Sequence, residues 1–131
     1  MIYRSPKPED IDFIYNSWLK SYRKSEGKMT STIYFNKFNN IIQKIFEKAL
    51  VVIVCDDEDP DLIYGYAVYE NVDPVVLHYI YVKLTYRQTG IGTDLIEKIR
   101  KNDDPIICTF ANYAFSKLKT KWRLTYNPWL R

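Results

Sequence analysis

The spacing of apolar residues changes along this chain, and each spacing predicts a different element. Apolar side chains recur at every third or fourth position over residues 11–22 and again over 34–46, which is the period of one buried helix face. Pro8 suits the first position of the earlier helix, where no N–H donor is needed. That helix is expected to end near residues 25–27, and the short apolar run 2–4 ahead of it predicts a first strand.

The middle of the chain predicts three consecutive strands. Residues 50–55 form a continuous apolar run rich in β-branched side chains, as in a buried strand. The acidic segment 56–61 lacks the glycine and the final glutamate of an EF-hand calcium loop, so a solvated turn is expected there. Residues 62–70 and 75–84 have the composition of two more strands, and the three together predict a meander.

The last third of the chain predicts two further helices and two strands. The expected order is a helix over about 89–101, a strand over 106–110, a short helix over 111–118 and a strand over 122–126. The complete order is β-α-α-β-β-β-α-β-α-β, which predicts an α+β fold with a mixed, mostly antiparallel sheet of about six strands flanked by helices. A length of 131 residues suits a single domain over residues 1–131.

Composition and charge narrow the class of protein. Hydrophobic residues make up 47% and charged residues 27% of the chain, and the net charge is +3, so we expect a globular protein with no specific nucleic-acid partner. No apolar run approaches the roughly 20 residues of a membrane span, and the first residues lack the pattern of a signal peptide, which favours the cytoplasm. Cys55 and Cys108 lie in apolar runs without metal-ligand spacing, so we expect two buried free thiols and no metal site.

The strand predicted over 75–84 leads into a glycine-containing turn that opens a helix. This turn, residues 87–92, reads Arg-Gln-Thr-Gly-Ile-Gly. The first N–H groups of a helix have no intrahelical partner and lie at the positive end of the helix dipole, so they can bind an anion. Gly90 and Gly92 let the backbone approach a ligand, and Arg87 adds a full positive charge. The junction predicts a phosphate-binding loop, with a purely structural turn as the alternative.

Two well-known phosphate loops do not match this turn. A Walker A loop needs Lys and then Ser or Thr after its last glycine, whereas Thr93 and Asp94 follow Gly92. A dinucleotide fingerprint needs a third small residue where Leu95 stands, and it normally opens the first βα unit of a Rossmann domain. The turn therefore predicts another class of anion site.

The turn resembles the pyrophosphate loop of the GNAT superfamily of acetyl-CoA-dependent N-acetyltransferases. That loop reads Arg/Gln-x-x-Gly-x-Gly/Ala after a strand with an aliphatic residue near its end, and residues 87–92 with Val82 match every defined position. The order of elements is similar over most of the chain, although most members have a seventh strand where the pattern here predicts six. The resemblance implies acetyl-CoA as co-substrate, with no metal. The implied cofactor-binding residues are Tyr81 and Val82 for the pantetheine arm, Arg87, Gln88, Thr89, Gly90, Ile91, Gly92 and Thr93 for the pyrophosphate, and Asn112, for which a helix cap is the alternative.

Acetyl transfer to an amine needs a neutral nucleophile, a polarised thioester carbonyl and a proton for the departing thiolate. His78, the single histidine, is a candidate base because the pKa of histidine is near neutrality; a surface or cross-strand histidine is the alternative. The resemblance places Ser116 where many members have a general-acid tyrosine, and a serine hydroxyl is a poor proton donor. Tyr113, Tyr126 or water could protonate the thiolate instead.

Three hypotheses follow from these residues and the resemblance. The first is an enzyme of the acyl-CoA-dependent N-acyltransferase class, which moves an acetyl group to a primary amine of an unidentified acceptor by direct attack in a ternary complex. The second is a CoA-binding or regulatory module that keeps the fold and the loop without turnover. The third is an interaction subunit that completes its sheet by pairing with a second copy, as a homodimer.

Overall fold

The computed structural model describes residues 1–26, 30–111 and 113–131. Its strands are β1 (Ile2–Arg4), β2 (Leu50–Cys55), β3 (Ile63–Glu70), β4 (Val76–Val82), β5 (Ile106–Cys108) and β6 (Leu124–Tyr126). Its helices are α1 (Asp10–Glu26), α2 (Ser31–Lys48), α3 (Ile91–Ile99) and α4 (Tyr113–Leu118), with short 3-10 helices at Leu84–Tyr86 and Pro128–Leu130.

The six strands lie in one sheet in chain order, from β1 to β6. β1 to β4 pair antiparallel, whereas β5 runs parallel to both β4 and β6. A parallel neighbour needs a crossover connection, and α3 and α4 lie in the two crossovers. The predicted order of elements and the mixed, mostly antiparallel sheet are therefore confirmed.

Two apolar layers cover the two faces of the sheet. α1 and α2 bury Trp18, Tyr34 and Phe38 in one layer. α3 buries Leu95 and Ile96 in the other layer. Fully burying a side chain of this kind stabilises the fold by about 1.5–3 kcal/mol, so the periodic apolar faces seen in the sequence are the faces that dock on the sheet.

Two boundaries near the glycine-containing turn differ from the sequence prediction. α3 begins at Ile91, two residues later than expected, because Gly90 takes a left-handed φ of +90° and acts as the N-cap. β4 ends at Val82, and residues 84–86 form a 3-10 helix rather than continuing the strand. Both changes lengthen the irregular segment between β4 and α3.

Neither a disulfide nor a metal-binding cluster is found in the described ranges. Cys55 and Cys108 are buried free thiols, as predicted, and burial raises the pKa of Cys108 to about 12. No three His, Cys, Asp or Glu side chains among the described residues converge to hold a metal ion. Within the same ranges, no helix combines the length and apolar character needed to cross a membrane.

A buried ion pair fixes the start of α1 against the sheet. Arg4 Nη1 donates to Asp10 Oδ2 at 2.6 Å, and these side chains are 13% and 8% exposed. The Lys7 N–H donates to the same carboxylate at 2.7 Å, and Arg4 Nη2 donates to the Pro60 carbonyl at 2.9 Å. The sequence predicted that α1 begins at Pro8. With these bonds in place, α1 begins instead at Asp10. The hydrogen bond from Arg4 is the main cause of the lowered pKa of Asp10.

We predict that Asp10→Ala lowers the free energy of unfolding by about 2–4 kcal/mol, because it leaves the Arg4 guanidinium without its charge partner. The wild-type protein should also lose stability in acid. A carboxyl group whose pKa is lowered by folding stabilises the protein above its unfolded pKa of about 3.9, and this contribution is lost as the pH falls through the folded value. Urea unfolding at neutral pH and at successively lower pH measures both effects, and the acid loss should be smaller in the variant.

Asp61→Ala is the matched control, since its ion pair with Lys7 is exposed, with side chains 44% and 78% accessible. We expect this control to cost less than about 1 kcal/mol. Equal losses in Asp10→Ala and Asp61→Ala would contradict the role given to the buried pair.

Candidate functional site

β4 and β5 share hydrogen bonds over only a short part of their length. Their last paired residues are Leu77 and Cys108, and the Thr109 N–H donates to the Leu77 carbonyl at 3.1 Å. β4 then continues to Val82 without a paired residue of β5 beside it. We call the point after Leu77 and Thr109, where the two strands diverge, the fork.

The far half of β4 leaves backbone groups free on the side of the gap. The Lys83 N–H donates to the Tyr64 carbonyl on the β3 side at 2.9 Å, and the backbone groups of successive strand residues point to opposite sides. Tyr81 therefore faces β3, whereas the N–H and C=O groups of Ile80 and Val82 face the gap. An extended ligand in the gap could pair with the groups of Ile80 and with the Val82 N–H, whereas the Val82 carbonyl already accepts a hydrogen bond from Arg87 Nε.

His78 joins three strands at the fork. It is the extra residue of a β-bulge, because Tyr79 and Leu77 pair with successive residues of β3. Its Nδ1 lies 2.8 Å from Thr109 Oγ1 at the end of β5, and its Nε2 lies 2.7 Å from Glu70 Oε2 on β3. The ring is 0% exposed, and burial is the main cause of its lowered pKa. His78 is thus a buried ring held on both nitrogens.

A cleft of about 740 Å³ lies along the far half of β4 and reaches the turn before α3. Its volume falls within the roughly 300–1,000 Å³ typical of small-molecule sites. The lining comes from five segments: Ser21 and Lys24 on α1; Tyr79, Ile80, Tyr81 and Val82 on β4; Leu84, Tyr86, Arg87, Gln88 and Gly90 in the turn; Ile91, Gly92 and Thr93 on α3; and Lys117 and Leu118 on α4.

Local hydrogen bonds shape the turn at one end of this cleft. Arg87 Nε donates to the Val82 carbonyl at 2.9 Å, which ties the guanidinium to the end of β4. The Thr89 hydroxyl donates to the Tyr86 carbonyl. Gly90 then reverses the chain at φ +90°, a conformation that glycine adopts without strain. These bonds direct the chain from β4 into the first turn of α3.

α3 presents its first turn to the cleft. The Asp94 N–H makes the first intrahelical bond, to the Gly90 carbonyl at 2.9 Å, so the N–H groups of Ile91, Gly92 and Thr93 have no helical acceptor. These three residues all line the cleft. Free N–H donors at the positive end of a helix dipole form a site for an anion such as phosphate.

Positive side chains reinforce this preference for anions. Lys24, Arg87 and Lys117 all line the cleft, and no described lining residue carries a carboxylate. A cleft lined by one sign of charge raises the local concentration of ligands of the opposite sign. The cleft therefore favours a ligand that carries phosphate groups.

Most of the predicted cofactor-binding residues line this one cleft. Thr89 does not line it, and Asn112 lies outside the described residues. The cofactor-binding role of every one of these residues stays a prediction. The residues that the structure brings together on the wall are Tyr81, Val82, Arg87, Gln88, Gly90, Ile91, Gly92 and Thr93.

The predicted catalytic residues are not on the described wall. His78 is not a lining residue of the cleft, and both of its ring nitrogens are hydrogen-bonded. Ser116 is exposed on α4 and is not a lining residue of the cleft. Tyr126 hydrogen-bonds Arg131 and is also absent from the lining. The side chain of Tyr113 lies outside the part of the chain that the structure describes.

The part of the cleft lining that α1 contributes was not predicted from the sequence. Ser21 and Lys24 face the cleft, and the Ser21 hydroxyl hydrogen-bonds the Tyr79 hydroxyl. The available signal was weak: polar residues recur at positions 17, 21 and 24, a helical spacing that equally describes a solvated face. Only the packing of α1 over β4 shows that this face borders the cleft.

Comparison with known proteins gives a family match and several similar folds. The model of the acetyltransferase (GNAT) family matches residues 11–101. The search of curated proteins found no match. A solved structure of a predicted acetyltransferase from Clostridium acetobutylicum, determined with acetyl-CoA, shares 16% identity and a TM-score of 0.56, over 92% of this chain and 87% of that one.

Two further solved structures have a similar fold. A GNAT-family acetyltransferase from Staphylococcus aureus shares 16% identity and a TM-score of 0.50, over 75% of this chain and 62% of that chain. A mutant protein from Bacillus halodurans shares 19% identity and a TM-score of 0.50, over 94% and 90% of the two chains. The chain thus spans about three fifths of the Staphylococcus protein, and identities this low establish the fold alone.

We predict that the two glycines of the turn respond differently to alanine. Gly90→Ala should lower the melting temperature, because a left-handed conformation costs an L-residue about 1–2 kcal/mol. Gly92→Ala should leave it unchanged or raise it, since an added Cβ would meet only Val82 Cγ2 at 3.9 Å and alanine favours helix. Thermal unfolding without ligand measures both variants, and equal destabilisation would contradict the geometry of the turn.

Proposed function

The chain belongs to the GNAT acetyltransferase family, and from that premise we propose that it transfers the acetyl group of acetyl-CoA to a primary amine. The observation that carries the proposal is the cleft itself, which runs from the fork along β4 to the open N-terminus of α3. A ligand with an extended polar arm and a pyrophosphate is complementary to these two ends. Acetyl-CoA has that form.

The cofactor would bind through backbone more than through side chains. Pyrophosphate oxygens would accept hydrogen bonds from the N–H groups of Ile91, Gly92 and Thr93, beside the Arg87 guanidinium. The pantetheine arm would lie in the gap and pair with the groups of Ile80 and Val82 that face it, much as an added strand pairs with a sheet edge. This assignment differs slightly from the sequence prediction, since Ile80 replaces Tyr81 as the pairing residue.

The reaction itself would be direct attack of a neutral amine on the thioester. A backbone N–H on β4 polarises the carbonyl, and binding both substrates together supplies the orientation. The C–N bond forms as the C–S bond breaks, the amine nitrogen loses one proton to solvent, and the departing thiolate takes one up. Tyr79 and Tyr81 line the cleft and are the candidate donors to the sulfur. A phenol is a better proton donor than the serine hydroxyl predicted from the family position.

One observation favours a second function, a CoA-binding module without turnover. Ser116 is exposed and is not a lining residue of the cleft. The position at which many family members have a general-acid tyrosine therefore supplies no effective proton donor here. The wall phenols argue for the enzyme, because a thiolate is already a good leaving group and needs only a modest donor. Measuring free thiol released from acetyl-CoA with an amine panel separates the two functions.

We predict that acetyl-CoA raises the melting temperature of the purified protein. A ligand at about 100 times its dissociation constant stabilises the folded state by about 2.7 kcal/mol. Arg87→Gln removes the charge at the turn, and Gly92→Ala places a methyl group against the approaching phosphate, so both should reduce the shift. Gly90→Glu should reduce it further, because it adds a negative charge and a strained residue.

Lys44→Gln is the control for the loss of one positive charge, since Lys44 is exposed on α2 and does not line the cleft. Its thermal shift should match that of the wild type. No shift at about millimolar acetyl-CoA would reject the cofactor assignment. An equal loss in Lys44→Gln and Arg87→Gln would show that only net charge matters.

For His78 we propose a positioning role: it holds β3, β4 and β5 together at the fork. His78→Gln should therefore lower both the melting temperature and kcat/KM while the pH profile of kcat/KM keeps its shape. Thr109→Val removes the hydroxyl bonded to Nδ1 and should have similar effects, whereas Thr109→Ser keeps the hydroxyl and should restore most of the loss.

The base role predicted for His78 from the sequence gives the opposite signature. A base with a lowered pKa limits the rate on the acidic side, where it becomes protonated. Loss of that acidic limb in His78→Gln, with an unchanged melting temperature, would contradict the positioning role and support the base.

A further inference from the structure

The cleft has two sides, defined by the two apolar layers of the sheet. Along β4, Tyr79 and Tyr81 pack in the layer of α1 and α2, whereas Ile80 and Val82 pack in the layer of α3. The α3 side holds the turn and the anion site. Given the proposed function, on which this inference rests, the cofactor occupies the α3 side and the gap, and the α1 side is left for the amine. We call this side the acceptor compartment; its described lining is Ser21, Lys24, Tyr79 and Tyr81.

Among the described residues that line the acceptor compartment, one side chain is charged, and that charge is positive. Ser21 and Tyr79 form a neutral hydroxyl pair, and Tyr81 is a phenol stacked on Tyr66 with ring centroids 5.3 Å apart. Lys24 is exposed at its edge. None of the described residues that line this side carries a carboxylate.

A second cation lies just outside the compartment. Lys83 follows the last residue of β4, and its Nζ lies 5.5 Å from the centroid of the Phe13 ring on α1, which places this charge on the α1 side of the sheet. Under the proposed function, the pyrophosphate of the cofactor would bind Arg87 and the N-terminus of α3 and would leave Lys24 and Lys83 to the acceptor.

This charge distribution selects among amines. A diamine or polyamine brings a second ammonium group, which Lys24 would repel and which no described lining residue would pair with a carboxylate. An amine that carries a carboxylate or a phosphate group would instead gain an ion pair and lose little hydration at an exposed edge. We propose that the acceptor is such an anionic amine and that Lys24 binds its negative group.

The test uses matched amines with the purified full chain and acetyl-CoA, with released thiol as the readout. The sets are glycine, glycinamide and ethylenediamine; 4-aminobutyrate, 4-aminobutanamide and 1,4-diaminobutane; and O-phosphoethanolamine with ethanolamine. Values of kcat/KM are compared per unprotonated amine, because amine pKa values differ. We expect the anionic member of at least one set to exceed its neutral and dicationic partners by about fivefold or more at low salt, and this preference to shrink as salt screens the charges. A preference within the glycine or 4-aminobutyrate set indicates that the acceptor carries a carboxylate, and a preference for O-phosphoethanolamine indicates a phosphate.

A charge reversal at Lys24 on α1 tests whether this residue binds the negative group of the acceptor. Lys24→Glu should lower kcat/KM for the preferred anionic amine by about tenfold, raise it for the matching diamine, and leave KM for acetyl-CoA unchanged. Lys20→Glu is the control, because Lys20 is exposed on the same helix and does not line the cleft. It makes the same change in net charge, and we expect less than a twofold effect.

Each other outcome overturns the inference in a distinct way. Preference for neutral amines or diamines would reject an anionic acceptor while leaving acetyl transfer intact. Equal effects of Lys24→Glu and Lys20→Glu, or an effect on KM for acetyl-CoA alone, would remove Lys24 from the acceptor compartment. If none of the amines in the panel causes thiol release, although acetyl-CoA gives a thermal shift, the transferase function is rejected and the acceptor class with it.

Discussion

The divergence of β4 from β5 is the constraint on which the site depends. Inside a continuous sheet, the backbone groups of Ile80 and Val82 would bond to the next strand, because buried backbone groups need partners. Here the pairing stops at Leu77 and Cys108, and β4 continues past that point as an edge. The unpaired stretch creates the cleft and, through the turn at its end, leads to the free N–H groups of α3.

Two groups of contacts hold the fork open. His78 bonds to Thr109 and to Glu70, so the three strands are fastened where the divergence begins. Just past β5, Phe110 packs edge-to-face against Trp18 at 5.2 Å and Tyr22 at 4.8 Å between ring centroids. These rings anchor the chain after β5 to α1, and Phe110 also contacts Tyr79 on β4 at 6.2 Å between ring centroids. The fork is therefore held by contacts between residues of the chain itself.

Much of the fold could be predicted from local sequence, and the exceptions are tertiary. The apolar run Leu50–Cys55 and the periodic face of Ser31–Lys48 specify their elements without outside help. The start of α1 could not be predicted, because the ion pair of Asp10 with Arg4 on another element overrides the local preference of proline. The β-bulge at His78 was also invisible, since a one-residue shift in register leaves the composition of the strand unchanged.

The candidate site also has features that could be predicted from local sequence and features that depend on tertiary packing. The turn from Arg87 to Gly92 could be predicted as a candidate anion site, because such a site depends on residue types at fixed spacing. The α1 wall could not, because Ser21 and Lys24 gain their meaning only from the packing of a helix over β4. The family position of Ser116 could be predicted from the sequence, whereas its exposure on α4 could not.

A crystal structure of the complex with acetyl-CoA would show whether the cofactor lies in the gap between β4 and β5. The account predicts pyrophosphate oxygens within hydrogen-bond distance, about 2.7–3.2 Å, of the N–H groups of Ile91, Gly92 and Thr93, and a pantetheine arm paired with Ile80 and Val82 in the gap. A cofactor bound outside the β4–β5 gap, or a pyrophosphate away from the first turn of α3, would contradict it.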